Sequence, residues 1–249
     1  MFIFVILGHQ LHVDLNDKET NIGKLFINFM KNIQESEGGV DCCLQEAEEL
    51  ATIDNDALLQ LSYELKDKGE EHAAIFIAHV CLLKATTATH LRDCSGIISV
   101  ATEKMYIAGN KDVIKKMKGK LMETYRGAIK KINETADEHT TKVVCTASCL
   151  RYIGLLHFYT DDNNQYLATL EGAIEFMNTN LDNPQHFHVY AHCYFNKARS
   201  LENMGDTSGA LAAFTAAKQC YNQCTDLSDA DKGEWIRYCD NGIVRVQSK

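Results

Sequence analysis

Proline occurs once in 249 residues and glycine only 15 times. A chain so short of breakers lacks the turn residues a strand-rich architecture needs, and helix is favoured. Long apolar runs are also missing. The opening "MFIFVILGHQ" has neither a basic flank, a full apolar region nor a small-residue cleavage site, so it does not read as an export signal. No other stretch approaches the roughly 18 apolar residues of a membrane span. Positive charge is in deficit, with 34 acidic against 25 basic residues and a formal net charge of -9. That balance argues against a nucleic-acid backbone as ligand, so any anion site must be local. Catalytic motifs are absent as well: there is no phosphate loop, no nucleophile elbow and no doubled Cys-x-x-Cys. The expectation is a binding protein with no cofactor, no metal and no catalysis, working away from membranes.

A hydrophobic content of 45% in a chain of this length can bury a substantial core. Ten cysteines would allow disulfides in a secreted protein, but without an export signal they read as reduced thiols of a cytoplasmic one. Cys145 with Cys149, and Cys220 with Cys224, stand at i, i+4 and could supply zinc ligands with His186, His188 or His192. Zinc spacings are normally tighter and doubled, so buried structural thiols are favoured.

Helical periodicity is nearly continuous from residue 54. Punctuation predicts nine antiparallel helices, at 54 to 68, 70 to 85, 88 to 108, 111 to 136, 139 to 159, 162 to 180, 185 to 204, 207 to 224 and 229 to 246. Gly69 and Gly109 suit left-handed helix caps, while "TDDNN", "DNPQ", "GDTSG" and "TDLSDAD" are turn-rich. Internal repeats emerge when the hairpins are aligned on their turns. Tyr194, Ala198, Leu201, Gly205, Ala210, Phe214 and Ala217 have the spacing of a tetratricopeptide helical hairpin. Leu58, Ser62, Leu65, Gly69 and Ala74 repeat it, and a weaker copy runs through Ile153, Gly154, Leu170 and Ala173. The fold expected is therefore all-α, a tetratricopeptide-like superhelix over residues 54 to 249 in one continuous array. Residues 1 to 53 do not fit the repeat and are expected to form an N-terminal helical extension. "KKMKGK" at 115 to 120 reads as a solvated helix face.

Further likenesses accumulate toward the C-terminus. "YLATLEGAIEFMNTNLDNPQHFHVYAHCYFNKARSLENMGDTSGALAAFTAAKQCYNQ", with Pro184 and His186, and "TDLSDADKGEWIRYCDNGI", with Asp240 and Asn241, resemble the last helices of the 14-3-3 proteins. "KGKLMETYRGAI" at 118 to 129 is similar to their fourth helix, and Arg151-Tyr152 in "SCLRYIGLL" falls at an Arg-Tyr dipeptide of their fifth. The resemblance spans roughly residues 54 to 246, with gaps. It implies a cup of nine helices whose groove binds phosphoserine or phosphothreonine segments of other proteins. A homodimer, or a heterodimer with a related chain, is implied too. Arg245 departs from the pattern, standing where the family carries an aromatic residue.

Arg151 is the focus of that expectation. The places three and four residues away hold Ala147, Ser148, Gly154 and Leu155, so no carboxylate on its own helix neutralises it. It either snorkels or pairs with a carboxylate from another helix, or it faces the groove and forks onto phosphate oxygens, with Tyr152 adding a hydrogen bond. The resemblance adds Asn196 and Asn241 as clamps on the peptide main chain, Asn196 one residue out of register. The family's third helix also supplies a lysine and an arginine to the pocket. One alignment places these at Lys84 and Arg92, where i and i+8 share a helical stripe; another places Glu64 and Glu71 or His72 there. The alternative function is a tetratricopeptide-like scaffold for unphosphorylated peptides or helices.

Overall fold

The computed structural model describes residues 54 to 248, and the regular structure among them is helical throughout. The chain divides after Ala136 into two compact units. The first contains α1 (Asn55–Asp67), α2 (Glu71–Lys84), α3 (Ala88–Ile107) and α4 (Lys111–Glu134). The second contains α5 (His139–Tyr159), α6 (Asn163–Asn180), a 3-10 turn (Pro184–His186), α7 (His188–Asn203), α8 (Thr207–Gln223) and α9 (Asp229–Gln247). Each helix predicted from 54 onward is found, and the protein is all-α among the described residues. The one segment that changes character is 185 to 187: Pro184 sets a 3-10 turn there, and α7 starts only at His188. The extension expected over 1 to 53 lies outside the described residues.

Helix starts follow local chemistry. Asp54, Thr87, Asp162, Asp206 and Ser228 each accept a hydrogen bond from a backbone N–H three residues on, at 2.9 to 3.3 Å. The stops use one device four times. Gly69, Gly109 and Gly205 adopt left-handed backbone (φ +78°, +84° and +82°). The next residue's N–H then reaches back to a carbonyl of the last turn at 2.9 Å: Glu70 to Leu65, Asn110 to Met105, Asp206 to Leu201. After α5 the same position is filled by Asp161 (φ +65°), with Asp162 N–H donating to the His157 carbonyl at 2.9 Å. Aspartate tolerates this region better than most residues. The third repeat copy looks weak in sequence because it keeps the turn without the glycine.

Packing explains the repeat residues. In the first unit α2 touches both α1 and α3. From Ala73 to Leu82 every α2 residue except His79 is buried, as expected of a helix that is apolar all round. In the second unit each helix packs on the next, from α5 through α9. Ala198, Ala210, Phe214 and Ala217 are completely buried at the α7–α8 hairpin. Gly154 of α5 lies against Tyr166 and Leu170 of α6, and Gly242 of α9 against the Phe214 ring. Among the described residues no helix is long and apolar enough to cross a membrane.

Candidate functional site

The second unit carries the residue that most needs explaining. Arg151 is half-buried on α5, and its Nε is fully covered without a hydrogen-bond partner. Its guanidinium carbon lies 4.9 Å from the centroid of the Tyr152 ring, a cation–π contact worth about 0.5–2 kcal/mol. Among the described residues no carboxylate forms an ion pair with it. Burial opposes its charge, but the nearby Tyr152, Cys193 and Tyr221 groups outweigh that, and its pKa lies above the ordinary arginine value. These neighbours bring no negative charge at neutral pH, since phenols and thiols are then protonated. Burial pushes the Cys193 thiol up to about 12 and raises Tyr221 as well. Among the described residues the positive charge therefore has no counter-charge, a costly state that a bound anion would relieve.

His192 registers that field. It lies on α7, half-buried, with Nδ1 hydrogen bonded to the Tyr221 hydroxyl of α8. Its ring packs edge-on against Trp235 of α9 at 4.4 Å and His188 at 5.3 Å. Trp235 in turn stacks on Tyr221 at 5.6 Å and 14°. Burial, then Arg151, then His188 hold the His192 pKa well below its ordinary 6.5, so the ring is neutral at neutral pH. His188 has its own carboxylate: Asp226 accepts from its backbone N–H and lies 2.8 Å from its Nδ1. Sequence reasoning weighed His192 only as a zinc ligand. The signal it missed is the i, i+4 step from His188 to His192 to Asn196, which puts all three on one stripe of α7.

The remaining predicted residues are distributed as follows. Asn196 is buried at 7% exposure, one turn beyond His192. Asn241 is exposed on α9, in a stripe with Tyr238 and Arg245, whereas Trp235, Cys239, Gly242 and Val246 form the inward stripe. Arg245 forks onto the two carboxylate oxygens of Glu202, both at 2.7 Å. Lys84 and Arg92 belong to the first unit, and here one expectation needs correction. They do not share a helical stripe, because α2 ends at Lys84, and Ala85 and the Thr87 cap are both extended before α3 begins at Ala88. Lys84 is in the last turn of α2, where a cation suits the helix dipole. Arg92 donates through Nε and Nη2 to Asp93 at 2.9 and 2.7 Å. In the competing alignment, Glu64 is half-buried on α1 and accepts from Gln60 at 3.3 Å, while Glu71 and His72 open α2. Burial lowers the His72 pKa against the pull of Glu71.

Cys145, Cys149, Cys220 and Cys224 are buried thiols, as the sequence led us to favour. Among the described residues no group of three or more His, Cys, Asp or Glu side chains is placed to hold a metal ion. No protein-family model matches the chain, and no curated protein matches it.

Proposed function

We propose that this chain is an adaptor that binds phosphoserine or phosphothreonine segments of partner proteins, in the manner of the 14-3-3 proteins its sequence resembles. The observation that carries the reading is Arg151: a guanidinium whose Nε is covered and unbonded, with no carboxylate paired to it among the described residues. A phosphate supplies both missing elements, negative charge and a set of acceptor oxygens that a planar guanidinium meets with two parallel bonds. Tyr152 stands beside it as a further donor, and Asn196 and Asn241 are assigned to the peptide main chain. Binding acts by masking or bending the partner, without chemistry, in the cytoplasm. A homodimer, or a pairing with a related chain, belongs to the same proposal.

The test is a phosphoserine peptide library titrated beside its unphosphorylated twin, against the wild type and Arg151→Glu. The reading requires that phosphate raise affinity and that charge reversal abolish the gain. One observation favours the second reading, a scaffold for unmodified peptides: Arg92, which the first reading needs as a free cation, already has Asp93 as its counter-charge. Equal affinity for the twin peptides would support that reading and refute the first.

A further inference from the structure

Near Arg151 is a second nitrogen that makes no hydrogen bond among the described residues. His192 spends Nδ1 on the Tyr221 hydroxyl, and among the described residues its Nε2 makes no hydrogen bond. The Tyr221 side chain is completely buried. We propose that His192 is a second anion-contacting residue of this site: the Tyr221 hydroxyl donates to Nδ1, the ring proton sits on Nε2, and Nε2–H is offered to the oxyanion that Arg151 holds. The inference rests on the phosphate reading of Arg151 and assigns that site a contact from a neighbouring helix.

Three features support it. The hydrogen bond at one imidazole nitrogen decides which nitrogen carries the proton, and Tyr221 comes from a different helix, so the tautomer is fixed by tertiary packing. The ring cannot readily turn away, because Trp235 abuts it at 4.4 Å and is itself stacked on Tyr221. The helix that carries Arg151, α5, packs against the helix that carries His192, α7, and the guanidinium is among the influences that keep the imidazole neutral. A neutral Nε2–H beside a guanidinium is a donor pair for one anion that adds no second buried charge when the site is empty.

The experiment uses the full chain and a phosphoserine peptide, with inorganic phosphate as a second probe. Ring nitrogen shifts of His192, measured by NMR, should show the Nε2–H tautomer in the unliganded protein and a marked Nε2 shift on adding either probe. His192→Leu should lose about tenfold or more of the phosphate-dependent affinity, the usual size for a hydrogen bond to a charged group. His192→Gln, whose amide nitrogen reaches the same place, should stay within about threefold of wild type. Tyr221→Phe should release the tautomer and cost affinity at an unchanged Arg151. Melting curves confirm that each variant is folded, and the tautomer measurement needs no variant at all.

The inference is overturned if Nδ1 carries the proton, if His192→Leu and His192→Gln lose affinity equally, or if His192→Leu binds like wild type while Arg151→Glu has lost the phosphate gain. That last result would leave the function of Arg151 intact. A wild type that does not distinguish the phosphopeptide from its twin would overturn both readings together.

Discussion

Gly242 offers a quantitative check on the packing of the second unit. A Cβ added there would lie 2.7 Å from Cε1 and Cζ of Phe214 and 2.9 Å from its Cδ1. Non-bonded carbons settle at about 3.5–4.0 Å, so the ring would have to retreat by nearly an ångström. It has nowhere to go, being completely buried and held edge-on by Phe195 at 5.7 Å between centroids. Overpacking of this kind costs typically 1–3 kcal/mol, and with a fixed ring the upper part of that range applies. Alanine regains about 1 kcal/mol of helix propensity, so Gly242→Ala should destabilise by roughly 1–2 kcal/mol. Gly154→Ala is the control, since its Cβ would meet Tyr166 and Leu170 at 3.4 to 3.6 Å, ordinary contact distances. It receives the same propensity gain with little steric cost and should be neutral or stabilised by up to about 1 kcal/mol. Urea titrations of the two variants beside wild type, followed by circular dichroism, measure the difference, expected at about 1–3 kcal/mol. A Gly242→Ala protein as stable as wild type, or the reverse order of the two variants, would refute the described fit of α9 on α8.

Three further outcomes are expected. Stability should fall with acid as pH drops below 6.5: a histidine with a depressed folded pKa stays neutral in the native state while the unfolded chain takes up a proton. The stabilisation is therefore present above 6.5 and lost below it, at up to about 1.4 kcal/mol per pH unit for the well-covered His192 and by less for the partly exposed His72, which solvent screens. His192 and His72 both contribute, so His192→Gln should flatten the profile by one group's share in melting temperature against pH. Arg151→Met should leave stability unchanged or raise it by about 1 kcal/mol, because it removes a covered, unbonded nitrogen; loss of 3–5 kcal/mol in urea unfolding would instead mark a paired structural arginine. Gly205→Ala should cost about 1–2 kcal/mol in the same assay, since φ +82° is left-handed backbone that an added Cβ strains, whereas Ala at the normally wound Gly172 should not.

Much of this protein is local and therefore readable along the chain. Helix ends announce themselves through Asp54, Thr87, Asp206 and Ser228 as caps and through Gly69, Gly109 and Gly205 as left-handed stops, because those conformations depend on one residue and its immediate neighbours. The small residues Ala198, Ala210 and Ala217 reveal the hairpin because close helix approach excludes anything larger. Asp161 escaped notice because a turn can be kept by a residue other than the one that marks it. Local rules misled at Lys84 and Arg92, where spacing suggested a shared stripe and the break in the helix at residues 85 to 87 removed it.

The environment of Arg151 illustrates the division. That it lacks a counter-charge within its own helix follows from the sequence of α5 alone, since only positions three and four away can reach it there. That no carboxylate from the neighbouring described helices supplies one, and that Tyr221 of α8 and Trp235 of α9 instead fix His192 of α7 nearby, depends on three helices meeting. Charge and hydrogen-bond balance at a buried group are sums over everything packed around it, and only the tertiary structure assembles those terms.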